Sequence, residues 1–233
     1  MAVRGNVGNF CNIKSFVSFA PSMEELDTKE KILKGAEALF MRYGVRSISM
    51  DDIARHLSVS KKTLYQHYSD KDELVLMVSR GHLESNKQEF DEICNATKNP
   101  IEELAKISVC LKANMESMNP TLLFDLQKFH PTAWNEWIEY KGKYLRESIV
   151  RNLSEGIEQG YFRPEANPEI LAAMRIEMVQ VGFNNDVFPP NLFKLSEVQE
   201  QLFDHFVYGL VTEKGRKLYQ KYRELNKQPS TVI

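Results

Sequence analysis

Between Ser58 and Leu74 the chain reads SVSKKTLYQHYSDKDEL, which gathers two lysines, two tyrosines and a histidine within eight residues and follows them with three acids. Cations of this kind neutralise phosphates, and hydroxyl, amide and aromatic groups reach base edges or sugar-phosphate backbone. On a helix, residues four apart share a face. Leu64 and Tyr68 therefore point one way, while Lys61 and Tyr65 point another with Lys62 and Gln66 beside them. One face packs and the other is offered, as in a helix that enters a major groove. His67 and Lys71 flank its end, where a ring N–H and an ammonium can grip phosphates. Ser49, at the start of the preceding helix, can present a hydroxyl and a backbone N–H to another. Composition alone leaves a second reading open, because a lysine-rich surface helix is often only a solvated face.

Such a helix needs neighbours to hold it. The segment DTKEKILKGAEALFMRYG places Ile32, Leu33, Ala36, Leu39 and Phe40 on one stripe, with Asp27 and Glu30 in the form of a capping box and Gly44 as a stop. SISMDDIARHL repeats the cap with Ser49 and Asp52, and Met50, Ile53, Ala54 and Leu57 form its apolar face. After the short break SVS, Ser60 caps KKTLYQHY, and Ser69 with Asp72 is expected to cap a fourth helix from Lys71 into the nineties. The first three helices are too short to stand alone, so the pattern predicts a compact trihelical unit with a helix-turn-helix break.

Further on, Pro100, Pro120, Pro131, Gly160 and Pro168 punctuate longer apolar-periodic segments. TAWNEWIEYKGKYLRESIVRNLSEGIEQG reads as one helical stretch to Gly160, and another is expected from Ser196 toward Leu225. With 42% hydrophobic residues in 233 and only 11 glycines and 9 prolines, the chain can bury a sizeable, all-helical core. Residues 27 to 80 carry ten Lys/Arg against eight Asp/Glu, and residues 81 to 233 carry eighteen against twenty-two. A mildly basic head on an acidic body permits a nucleic-acid partner without requiring one.

Cys11, Cys94 and Cys110 are odd in number and lack a C-x-x-C spacing, and the five histidines make no i, i+4 pair. Neither a disulfide framework nor a metal site is expected, and no cofactor is implied. No apolar run approaches the roughly 18 residues a membrane span needs. A soluble, cytoplasmic protein is expected. In residues 1 to 26, Ser18 and Pro21 interrupt the apolar patch around Phe16, so a disordered extension is expected there rather than a secretory signal, with Met23 as an alternative start. Residues 226 to 233 are expected to form a flexible tail.

Residues 28 to 75, TKEKILKGAEALFMRYGVRSISMDDIARHLSVSKKTLYQHYSDKDELV, closely resemble the DNA-binding domain of the TetR family of bacterial transcriptional regulators. The resemblance runs through ILKGAEALFMRYG, SISMDDIA, VSKKTLYQHY and SDKDEL. It implies a domain over residues 27 to 75 that binds double-stranded DNA. It further implies a helical ligand-binding and dimerisation domain over 76 to 225, a homodimer on a pseudo-palindromic operator, and a small-molecule effector. It carries Ser49, Lys61, Lys62, Thr63, Tyr65, His67 and Lys71 over as DNA contacts, and Leu64 and Tyr68 as packing residues. Two positions depart from the family. Ser58 stands where Gly is common in the turn, and Lys62 where a small residue is common.

Met115, Phe124, Trp134, Trp137, Met174 and Met178 could line a ligand pocket, although each taken singly reads as core. Leu171 and Met178 in one broad apolar helix, with Leu202, Phe206 and Leu210 in another, are candidates for an intersubunit four-helix bundle, and internal core explains them equally well. Gly209 would allow close helix approach. A helical adaptor without DNA binding would leave the basic, aromatic helix unexplained. Catalysis is not expected, because no G-x-S-x-G, phosphate loop or H-E-x-x-H accompanies the acids of the body.

Overall fold

A computed structural model describes residues 27–227, which fold into a succession of α-helices; the extension 1–26 with Met23, and residues 228–233 of the expected tail, lie outside the described residues. The helices are α1 (Thr28–Tyr43), α2 (Met50–His56), α3 (Lys61–His67), α4 (Lys71–Ala96), α5 (Pro100–Glu116), α6 (Leu122–Phe129), α7 (Pro131–Tyr140), α8 (Arg146–Glu158), α9 (Pro168–Gly182), α10 (Leu195–Leu210) and α11 (Glu213–Lys227). Residues 226 and 227 thus belong to α11 rather than to a tail.

α1 buries Ile32, Ala36, Leu39 and Phe40, and ends at Gly44, whose φ of 80° suits a residue without Cβ. Asp27 occupies the N-cap position of α1, but its side chain accepts no capping hydrogen bond. In α2 the expected box forms: Ser49 Oγ accepts from Asp52 N–H at 3.2 Å and Asp52 Oδ2 accepts from Ser49 N–H at 3.0 Å. Ser60 Oγ caps α3 by accepting from Thr63 N–H at 3.0 Å. Leu64 and Tyr68 are buried against Ile32, Phe40 and Ile53, and burial pushes the Tyr68 phenol up to about 12.

The cap of α4 differs from the expected Ser69 and Asp72. Asp70 is the N-cap and accepts from Glu73 N–H at 2.8 Å, while Glu73 Oε2 accepts from Ser69 N–H at 2.6 Å. Asp72 is drawn instead to His130, whose Nδ1 stands 2.6 Å from Asp72 Oδ1.

α4 runs unbroken from the trihelical head into the body, so the boundary expected at residues 75 and 76 falls inside a helix. The head core also takes in Leu122, Leu126 and Ala133, so α6 and α7 pack directly on the head. A second core joins α5, α8, α10 and α11 through Ile101, Leu104, Leu153, Phe206, Val207, Leu210 and Tyr219. The stretch from Pro131 to Gly160 is α7 and α8 joined by a π-helical turn over Lys141–Leu145. The stretch from Ser196 is broken at Val211 and Thr212, because the chain there docks on the 161–163 segment: Thr212 N–H donates to Tyr161 O at 2.9 Å and Arg163 N–H to Leu210 O at 3.0 Å. A Cβ on Gly215 would fall 2.2 Å from Tyr161 O, so glycine allows this approach. Among the described residues no helix is long and apolar enough to cross a membrane.

Candidate functional site

α3 is two-sided. Leu64 is fully buried, whereas Lys61, Lys62, Tyr65 and Gln66 are exposed, Tyr65 by 50%. Tyr65 thus offers half of its ring and hydroxyl to solvent on a seven-residue helix that also carries Lys61, Lys62 and His67. Lys61 pairs with Asp51 at the start of α2, an exposed contact that holds the two helices together weakly. Lys62 has no ion-pair partner among the described residues. The Thr63 hydroxyl stands 2.8 Å from Ser60 Oγ, and His67 is half-buried at the helix end. Ser49 is exposed, with its polar atoms engaged in the α2 cap.

Lys71 differs from the others. Its ammonium donates to Val45 O at 2.7 Å, tying the start of α4 to the loop after α1. Desolvation lowers its pKa, against the opposing pull of Asp125, Asp72 and Asp52.

The turn before α3 is tightly specified. Ser58 N–H donates to Arg55 O at 3.2 Å and Val59 N–H to Ala54 O at 3.0 Å, the paired bonds of a Schellman motif. Ser58 sits at its left-handed position with φ 54°. It is the one positive-φ residue other than glycine among those described.

Behind the head lies a cavity, partly open to solvent, with a volume of about 110 Å³ for the centres of water-sized groups. Its wall is built from both halves of the molecule. Phe40, Met41 and Val45 come from the head, Val75, Val78, His82 and Asn86 from α4, Met115 from α5, Leu122 and Leu126 from α6, Trp137 from α7, and Val179 and Phe183 from α9 and its end. Of the six candidate pocket residues, Met115 and Trp137 reach this cavity. Trp134 packs against the head core and Met178 against the body core. Phe124 is half-exposed with the Lys128 ammonium 5.3 Å from its ring, and Met174 is 45% exposed on α9. Aromatic and methionine composition could not separate these positions. The head residues of the wall were hidden by their periodicity, which reads as helix core.

Polar contacts cross the seam around the cavity. His82 Nδ1 stands 2.9 Å from Glu37 of α1, Asn119 N–H donates to Met41 O at 2.7 Å, Arg46 N–H donates to Asp125 Oδ2 at 3.1 Å, and Arg80 pairs with Glu136 at 2.7 Å.

The candidate dimer residues also divide. Phe206 and Leu210 lie inside the body core, Leu171 and Met178 pack against it, and Leu202 is half-buried. On these two helices the exposed large apolar side chains are Ile170, Met174 and Val181 of α9 and Tyr208 of α10. Gly209 meets nothing within 4 Å, so the approach it permits is not used within one chain. Among the described residues no three His, Cys, Asp or Glu side chains are grouped to hold a metal ion.

Residues 32–78 match the model of bacterial regulatory proteins of the tetR family. The chain is 28% identical over 144 residues to the HTH-type transcriptional repressor KstR2 of Mycobacterium tuberculosis, covering 60% of this chain and 72% of that protein. It is 29% identical over 171 residues to the HTH-type transcriptional regulator YvaF of Bacillus subtilis, covering 72% and 87% respectively. A tetR-family regulator structure from Agrobacterium tumefaciens superposes with a TM-score of 0.67 at 15% identity, covering 79% of this chain and 97% of that one, a likeness of fold. The match over residues 32–78 marks the head as a helix-turn-helix similar to that of the bacterial regulatory proteins of the tetR family, and the chain shares the all-helical fold of a solved regulator of that family.

Proposed function

We propose that the protein is a dimeric transcriptional repressor that binds a pseudo-palindromic duplex through α3 and releases it when a small molecule fills the cavity behind the head. The observation that carries the reading is the two-sided α3, anchored by Leu64 and Tyr68 and offering Lys61, Lys62, Thr63, Tyr65 and His67 outward or at its end. In this reading Lys62, Tyr65 and Thr63 meet the major groove, Lys61, His67 and Ser49 meet phosphates, and Lys71 acts through Val45 by holding the loop that sets the head. The name of the mycobacterial relative, a transcriptional repressor, supports repression as the direction of control.

Release follows from the shared wall. Because Phe40, Met41 and Val45 belong to the head, a molecule that fits the cavity better in one head orientation shifts the population toward it. A coupling of about 1 to 3 kcal/mol changes DNA affinity by roughly 5 to 150-fold.

Selection of binding sites from random duplex tests the reading. A dimer is expected to enrich two half-sites about one helical turn apart, with affinity falling steeply as salt rises. Tyr65→Ala is expected to weaken binding to the selected site more than to random duplex. Absence of any enriched sequence at both low and moderate salt would overturn the proposal.

A further inference from the structure

Along the body, cations stand against acids: Arg80 against Glu136, Lys112 and Arg223 against Glu200, Arg146 against Glu169, and Arg151 against Glu103. At one edge of the head the pattern changes. Arg46, in the loop between α1 and α2, and Lys128, near the end of α6, are exposed, and neither has an acid partner among the described residues. They stand on an aromatic ring instead. The Arg46 guanidinium lies 5.2 Å from the centre of the Phe129 ring and the Lys128 ammonium 5.4 Å from the same centre, with the Phe124 ring 5.3 Å from Lys128 on another side.

The difference decides what the cations can do. A carboxylate partner cancels the field of a cation, whereas an aromatic face holds it in place and leaves its charge and N–H donors for another anion. The acids that meet these elements are engaged within the fold. Asp125 is buried and accepts from the backbone N–H of Arg46 at 3.1 Å and from the Thr121 hydroxyl at 3.4 Å. Asp72 stands 2.6 Å from His130 Nδ1.

The patch is continuous with the surface that carries α3. Lys71 donates to Val45 O and so fixes the loop bearing Arg46 to the start of α4, and the contact of His130 with Asp72 fixes the end of α6 to the same place. Ser49, at the start of α2, follows Arg46 by three residues. A duplex seated on α3 is a polyanion along its length, so its backbone is the anion that complements unpaired cations at this edge.

We propose that Arg46 and Lys128, set on Phe129, form a second phosphate-binding surface, through which the end of α6 grips the backbone of the duplex that α3 reads. The proposal rests on the reading of α3 as a DNA-binding helix, and extends the contact beyond the helix-turn-helix. Phosphates carry no base identity, so this surface adds affinity for every sequence and no choice between sequences.

The test uses the full chain, the duplex obtained by site selection and a random duplex of equal length. Both side chains are exposed, and the bond of Arg46 to Asp125 is made by its backbone, so Arg46→Gln and Lys128→Gln keep the fold. Each is expected to weaken both duplexes by a similar factor, roughly tenfold or more, and to flatten the slope of log affinity against log salt by about 2, since a dimer loses the contact twice. Arg46→Lys and Lys128→Arg keep the charge and are expected to keep the slope. Lys221→Gln removes the same charge from an exposed position on α11 and is expected to leave affinity and slope unchanged, being screened from the duplex. Neutral methylphosphonates placed singly in the selected duplex locate the contact: the parent is expected to be weakened at a phosphate where the Lys128→Gln protein is not.

An unchanged slope in either Gln variant, an equal loss in Lys221→Gln, a loss confined to the selected sequence, or identical methylphosphonate profiles would each overturn the proposal while the α3 reading stands. Absence of any selected sequence, or parent affinity in Tyr65→Ala, overturns the α3 reading itself and the proposal with it.

Discussion

Ser58 is where a single residue shows the cost of a specified turn. The Schellman bonds to Arg55 and Ala54 require a left-handed residue at this position, and with φ 54° the turn has not relaxed to spare the serine. An L-residue with a Cβ pays about 1 kcal/mol there relative to glycine. Ser58→Gly is therefore expected to raise stability by about 0.5 to 1 kcal/mol in urea unfolding, reduced from the full cost because glycine also loosens the unfolded chain. DNA affinity should stay unchanged, because the orientation of α3 is already that of the glycine turn; lower stability of the variant would mean that Ser58 makes a compensating contact. The site was legible at this scale wherever local spacing decides orientation. Leu64 and Tyr68 read as inward and Tyr65 as outward from period alone, and so they are. Trp134 and Trp137 were not separable. They lie three residues apart on one helix, and only the placement of α4 and α9 determines which indole meets the cavity.

At the level of the element, the start of α4 illustrates two local patterns in competition. SDKDE offers both Ser69 with Asp72 and Asp70 with Glu73 as a cap, three residues apart in each case. Nothing within the five residues ranks them. The distant His130 does so, by engaging Asp72 from between α6 and α7 and leaving Asp70 and Glu73 to close the helix. Asp70→Ala is expected to cost about 1 kcal/mol in thermal or urea unfolding and to raise amide exchange in the first turn of α4, as loss of an N-cap does. Asp72→Ala should leave that exchange unchanged; the reverse pattern would restore the Ser69 and Asp72 cap. The break between α10 and α11 was illegible for a similar reason. The amphipathic pattern continues across Val211 and Thr212, and it is docking on Tyr161 and Arg163 that ends the helix.

For the molecule as a whole, stripe width told that α9 and α10 have more than one neighbour, but not which half faces which. A helix turned toward its own core buries one side first, and in α10 that side holds Phe206 and Leu210. What remains outward is Tyr208 beside Gly209, and on α9 the set Ile170, Met174 and Val181, spaced at four and seven residues along one face. In the proposed dimer these side chains, rather than Phe206 and Leu210, form the intersubunit surface, and each occurs twice across a two-fold axis. Met174, 45% exposed in the single chain, has about half of a methionine's burial left to gain in a dimer, about 0.7 to 1.4 kcal/mol per copy, and a charge there adds its own desolvation cost. Met174→Glu is accordingly expected to raise the dimer dissociation constant by on the order of 10² or more in sedimentation equilibrium, while helicity and unfolding of the single chain stay near those of the parent. Affinity for the full two-half-site duplex should fall with it, and affinity for an isolated half-site should not. Phe206→Glu makes the opposite expectation: it places a charge inside the body core and should unfold the chain rather than merely separate two copies. A Met174→Glu protein that remains dimeric would move the interface off α9 altogether.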